Sequence, residues 1–127
     1  MPVATAMANN ILNTILRNTS FAMPSSTVFL SLHTAAPGIT GTGSPLASTP
    51  RFSVTFNAPA NASCVNAATA SVVCSATGTV TNLGLWDGSA TLTATHIMSG
   101  ALDANKTVAN VGDTVTLASA DLRVTVS

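Results

Sequence analysis

The run Thr79-Val80-Thr81-Asn82-Leu83-Gly84-Leu85-Trp86-Asp87-Gly88 decides the fold class of this 127-residue chain. Up to Trp86 it carries the period-two pattern of a half-buried strand, and Asp-Gly is the strongest two-residue hairpin signal in the sequence. Residues 91–98 then read as the returning strand. Working outward, Thr27-Val28-Phe29-Leu30-Ser31-Leu32-His33 is dense in branched and aromatic side chains and stops at the turn signal Thr34-Ala35-Ala36-Pro37-Gly38. Arg51-Phe52-Ser53-Val54-Thr55-Phe56 alternates strictly, which places Phe52, Val54 and Phe56 on one face. Shorter runs at 71–74, 107–117 (turning at Gly112-Asp113) and 122–126 complete seven or eight short strands.

Strands of this length with no helix between them suit an antiparallel sheet rather than a parallel α/β one. The expectation is a mainly β chain, an antiparallel β-sandwich of Ig-like or jelly-roll-like type occupying about 27–127, as part of one domain spanning 1–127. Its expected core anchors are Phe29, Leu32, Phe52, Val54, Phe56, Leu85 and Trp86. Between the strands, 39–50 holds Gly and Pro breaks without periodicity and is expected to be a long contact loop presenting Ile39, Thr40, Leu46 and Pro50. The Ala/Asn-rich segment 57–70 reads as an exposed excursion.

Ahead of the strands, Met7, Ile11 and Ile15 fall four apart with Ala8, Leu12 and Leu16 beside them, the stripe of an amphipathic helix over about 4–18. Thr5 is the expected N-cap, and Asn18 ends the helix because it tolerates the left-handed conformation. The opposite face is Asn9, Asn10, Asn13 and Thr14, uncharged and only moderately helix-forming, so the helix needs contacts beyond itself. Met7, Ile11, Leu12 and Ile15 are the candidate docking residues.

Composition limits what such a chain can bind. Charged residues are 6% of the chain, four basic and four acidic, and the net charge is zero; a typical protein has about 25%. Arg17, Arg51, Lys106 and Arg123 are scattered, so no patch neutralises several phosphates, which argues against nucleic acid. No stretch of about 20 apolar residues is available to cross a membrane, and the N-terminus lacks the basic and apolar regions of a secretory signal. Synthesis in a cytoplasm is expected. A surface with little charge repulsion favours self-association or docking on a larger body.

Chemistry-bearing residues are few. The acids are Asp87, Asp103, Asp113 and Asp121, of which Asp87 and Asp113 sit beside glycine in turn positions. His33 and His96 lack a third ligand nearby in sequence, and no nucleophile elbow, P-loop or dinucleotide fingerprint occurs. No catalytic residue, metal or cofactor is expected, and an enzyme would require the two imidazoles to meet each other or an aspartate. Cys64 and Cys74 are either two small apolar side chains or a local disulfide of about 2–3 kcal/mol, against which a reducing cytoplasm argues.

Three stretches carry a resemblance. Phe21-Ala22-Met23-Pro24 with Leu30-Ser31-Leu32-His33-Thr34-Ala35-Ala36-Pro37-Gly38, then Val80-Thr81-Asn82-Leu83-Gly84-Leu85-Trp86-Asp87, then Lys106-Thr107-Val108 with Gly112-Asp113-Thr114-Val115-Thr116-Leu117 together resemble a family of small tailed-bacteriophage virion proteins of tail-fibre, minor-tail or head-decoration type. The resemblance implies a structural virion role without catalysis. Because the chain has neither the length nor the aromatic surface of a receptor-reaching fibre, the first expectation is a capsid decoration or cement protein. It would dock in many copies on the major capsid protein and associate with itself, most simply as a trimer. The alternatives are a minor tail or tail-fibre component contacting the host, and a carbohydrate-binding module, which needs an exposed Trp86.

Overall fold

The computed structural model describes residues 3–21, 27–47, 49–90 and 94–125. Helix α1 (Thr5–Arg17) leads into β1 (Val28–His33), β2 (Phe52–Val54), β3 (Ser63–Val65), β4 (Ala70–Val73), β5 (Gly78–Trp86), β6 (His96–Val108), β7 (Thr114–Leu117) and β8 (Arg123–Thr125). Among the described residues all strand pairs are antiparallel, and the expected mainly β chain with one N-terminal helix is what the fold shows. One sheet runs β2-β1-β5-β6, beside two ribbons, β3-β8 and β4-β7. Residues 22–24 of the resemblance, 91–93 of the expected returning strand, and Val126 lie outside the described residues.

The alternation of β1 and β5 explains why sheet and ribbons meet. Leu30 pairs with Leu85 and Leu32 with Leu83, and all four are buried in one apolar core with Val72 of β4 and Val115 and Leu117 of β7. Burying a side chain of this size is worth about 1.5–3 kcal/mol, so the short ribbons are held by their inward residues more than by their own few hydrogen bonds. Of the expected anchors, Leu32, Phe52, Val54, Leu85 and Trp86 are buried. Phe29 and Phe56 are only half-buried. Phe29 falls on the opposite face of β1 from Leu30 and Leu32, while Phe56 packs against the core from its margin.

Several boundaries differ from the sequence pattern for local reasons. Asp87-Gly88 does not make a two-residue turn: the Asp87 N–H donates to the Thr95 carbonyl, and the Thr95 N–H to Asp87 Oδ1 at 2.6 Å, which closes a longer connection. β6 runs on to Val108, but 102–105 stand opposite Thr81 alone, so the strand bulges out in its polar middle. The excursion 57–70 contains β3, which the closing strand β8 pins at Cys64↔Val124. The Cys64–Cys74 staple is not formed; both thiols are free, with Cys74 buried behind the end of β4.

Helix α1 begins one residue earlier than its pattern suggests. Ala4 is the N-cap and has no side-chain cap bond, while Thr5 is the first helical residue. Asn18 ends the helix in the left-handed region at φ 51°, as its side chain permits. The helix packs on β6 through its first turns, where the Ala4 N–H donates to the Ile97 carbonyl at 2.7 Å. Among the described residues no helix is long and apolar enough to cross a membrane.

Candidate functional site

The sheet is covered on both faces near β1, and the face turned away from the apolar core carries the polar residues. Residues two apart on a strand share a face, so Ser31 and His33 stand together beside Gly84 and Trp86 of β5. Trp86 Nε1–H donates to Ser31 Oγ at 2.8 Å, and Ser31 Oγ lies 2.7 Å from His33 Nε2. His33 Nδ1 lies 2.7 Å from the Gly43 carbonyl. Since a carbonyl only accepts, Nδ1 carries the proton and Nε2 accepts from the Ser31 hydroxyl. The chain of donors therefore runs in one direction, from indole to hydroxyl to imidazole to backbone. Burial pushes the His33 pKa below the ordinary imidazole value, only partly opposed by the Gly43 carbonyl, and the neutral ring is the form this chain requires.

Gly84 makes room for it. A Cβ there would lie 2.6 Å from Ser31 Oγ, 3.1 Å from Trp86 Nε1 and 3.2 Å from His33 Nε2. Outside the chain of donors, the Arg51 guanidinium lies over the Trp86 ring, 3.5 Å from its centroid, and its Nη1 donates to the Ala90 carbonyl at 2.9 Å. The His96 ring packs against Trp86 with centroids 4.9 Å apart. His96 Nδ1–H donates to the Ile39 carbonyl at 3.3 Å, whereas the buried Nε2 has no partner among the described residues. Gly41, at φ +75°, lies so close to this imidazole that a Cβ would sit 2.5 Å from His96 Cγ. Burial lowers the His96 pKa as well.

The loop 39–50 is thus partly a lid on the sheet and partly surface. Ile39, Thr40 and Pro50 are exposed, as a contact loop requires. Leu46 is not available for contact: it is 3% exposed, sits in the core, and its N–H donates to the Leu32 carbonyl. A cleft of about 340 Å³ opens between this loop, Arg51 and the Ser31–His33–Trp86 group.

The second site is α1. Met7 does not belong to a docking face, because it is buried against the body of the protein. Ile11, Leu12, Ile15 and Leu16 are exposed, the last two at 71% and 74%. The apolar stripe therefore divides, its first turn packing inward and its later turns facing outward. Arg17 is the only charge on the helix, and it reaches back to Asn13 Oδ1.

Among the described residues no aspartate lines the cleft, and of the two imidazoles only His33 does. Both ring nitrogens of His33 are engaged by Ser31 and Gly43, and Asp87 is engaged by Thr95. Among the described residues no group of three His, Cys, Asp or Glu side chains gathers to hold a metal. Trp86 is 4% exposed and lies beneath Arg51, so it offers no face on which a sugar ring could stack. Sequence reasoning missed Arg51 and Ser31. The Ser-x-His spacing on a strand was the available signal for Ser31; nothing local marks Arg51, whose ring partner Trp86 lies far along the chain.

The fold is a small antiparallel β body that carries a buried polar network and an exposed, uncharged helical stripe. The chain belongs to the family described as "Podophage GP4 fiber I protein gp80", whose model matches residues 2–125, and it is a tailed-phage virion structural protein. A search of curated proteins found no match.

Proposed function

We propose that this chain is a fibre component of the phage tail, and that it acts by assembly rather than by transforming a molecule. The family match over residues 2–125 carries this reading, since the family is described by a fibre protein. It favours the tail-fibre alternative over the head-decoration role first expected from composition. The short length that argued against a fibre bears only on one copy.

The assembly face in this reading is the outer stripe of α1. Ile11, Leu12, Ile15 and Leu16 form a continuous apolar surface flanked by Asn9, Asn13 and Thr14, with no charge to demand a complementary partner. The partner is therefore itself uncharged and apolar at the contact, which a second copy of this chain provides. A cyclic homo-oligomer, most simply a trimer, closes the stripe. The edges of the main sheet are poorly suited to such pairing, because β2 is short and β6 is covered by Ala4 at Ile97 and bulged at 102–105.

Location separates this proposal from its rival. Immunogold labelling or a copy count on intact particles should find the protein at the tail in small number; hundreds of copies over the head shell would restore the decoration reading.

A further inference from the structure

We propose that the cleft beside Arg51 binds a small carboxylate carried on a hydroxylated frame, in chemical class a sugar acid. This inference rests on the cleft alone and is independent of the fibre assignment.

Among the described residues Arg51 is the only cation on the cleft wall, where His33 stands as a neutral ring with both nitrogens engaged, and no acidic side chain lines it. Among the described residues Arg51 and Lys106 are the half-buried basic side chains; Asp103 and Asp121 line the hollow at Lys106, whereas the wall at Arg51 carries no acid. The guanidinium is fixed in place: one face is laid on Trp86, and Nη1 is directed at the Gly88 and Ala90 carbonyls at 3.4 and 2.9 Å. These acceptors are neutral and use a single nitrogen. A guanidinium has five N–H donors, so a fork remains for a ligand. The Asp87 carboxylate, which contributes favourably to the charge of Arg51, has its Oδ1 bonded to the Thr95 N–H. A cation taken partly out of water and hydrogen-bonded only to carbonyls gains most from an anion placed against it. Burial already weakens the hold of Arg51 on its proton, in keeping with that need.

The rest of the wall selects the kind of anion. Ser89 and Thr42 place hydroxyls around the cleft, that of Thr42 sharing one hydrogen bond with Thr40, while the Thr49 hydroxyl is taken up by the Ala47 carbonyl and the Ser75 N–H; Pro45 and Pro50 supply rigid apolar surface. Hydroxyls both donate and accept, which matches a polyol frame. The guanidinium fork fits carboxylate and phosphate alike; one arginine without a lysine balances the single charge of a carboxylate but not the higher charge of a phosphate. A neutral sugar is not favoured, because Arg51 occupies the aromatic face on which it would stack. The volume of about 340 Å³ lies at the lower end of the range for small-molecule pockets.

The test is a nuclear magnetic resonance titration of the full chain with sodium glucuronate, following the Trp86 Nε1–H and Arg51 Nε–H signals, with glucose and inorganic phosphate as parallel arms. The expected result is a saturable shift of both signals by glucuronate in the millimolar range, with glucose weaker by roughly tenfold or more. Arg51→Gln, checked for folding by its dispersed spectrum, should reduce glucuronate to the level of glucose. If that variant does not fold, the localisation of the wild-type shifts to Trp86 and Arg51 decides. No saturable shift, an equal response to glucose, tighter binding of phosphate, or glucuronate binding retained by folded Arg51→Gln would each overturn the proposal.

Discussion

The indole nitrogen of Trp86 donates to Ser31 Oγ at 2.8 Å, joining β5 to β1 across the face of the sheet that the loop covers. Ser31 is the middle of three linked donors, so its loss leaves two groups without a partner. Ser31→Ala should strand the Trp86 N–H and His33 Nε2 and cost about 1–3 kcal/mol, the penalty of buried unsatisfied groups. Gly84→Ala should cost at least as much, because its new methyl group would lie only 2.6 Å from that hydroxyl and force it to move. Denaturant midpoints of the two variants measure both effects, and a neutral result for either would remove the network from the stability of the fold.

Acid should weaken the protein in a defined window. Burial holds the His33 and His96 pKa values below the ordinary value of about 6.5. As pH falls through that value the unfolded chain takes up protons while the folded chain does not. The stability contributed by the neutral rings is therefore complete above this range and is lost as pH falls toward the depressed folded values. The chain has no Glu to add a contribution of its own. The melting temperature should fall between pH ~7 and ~5, and His33→Gln should flatten that dependence. A wild-type melting temperature constant across the interval would contradict the assignment.

The divided stripe of α1 predicts opposite outcomes at its two ends. Met7→Ala should destabilise the chain by about 2–5 kcal/mol, as for other buried large-to-small changes. Ile15→Ser combined with Leu16→Ser should leave the monomer's stability within about 1 kcal/mol, since both side chains are exposed. The same double variant should lower the oligomeric state in sedimentation, whereas an unchanged assembly would move the contact elsewhere.

Reductant should have no effect on the thermal midpoint, because Cys64 and Cys74 are both free. A midpoint lowered by dithiothreitol would show that a disulfide contributes after all.

The strands were legible wherever a residue's neighbours in sequence set its environment. Leu30, Leu32, Leu83 and Leu85 alternate, and they pair in the core as alternation requires. The pattern failed where environment comes from far along the chain. β3 lies in an Ala/Asn-rich stretch and exists because β8 returns beside it. Leu46 looked like a loop residue and is a core residue because Leu32 offers it a backbone acceptor across the sheet edge. Asp87-Gly88 failed as a turn because the aspartate instead caps the distant Thr95 N–H. At the site, the apolar stripe of α1 was readable from its spacing, but the burial of Met7 alone was not, since periodicity does not say how much of a stripe meets the body of its own protein. Arg51 over Trp86 is a contact between distant parts of the chain and has no sequence period at all.

Whether the chain serves by assembling at the tail is tested most directly by cryo-electron microscopy of intact particles. The account predicts density for this fold in a small symmetric cluster at the tail, with the Ile11, Leu12, Ile15 and Leu16 faces turned toward one another. Isolated copies spread over the head lattice, with those faces open to solvent, would contradict it.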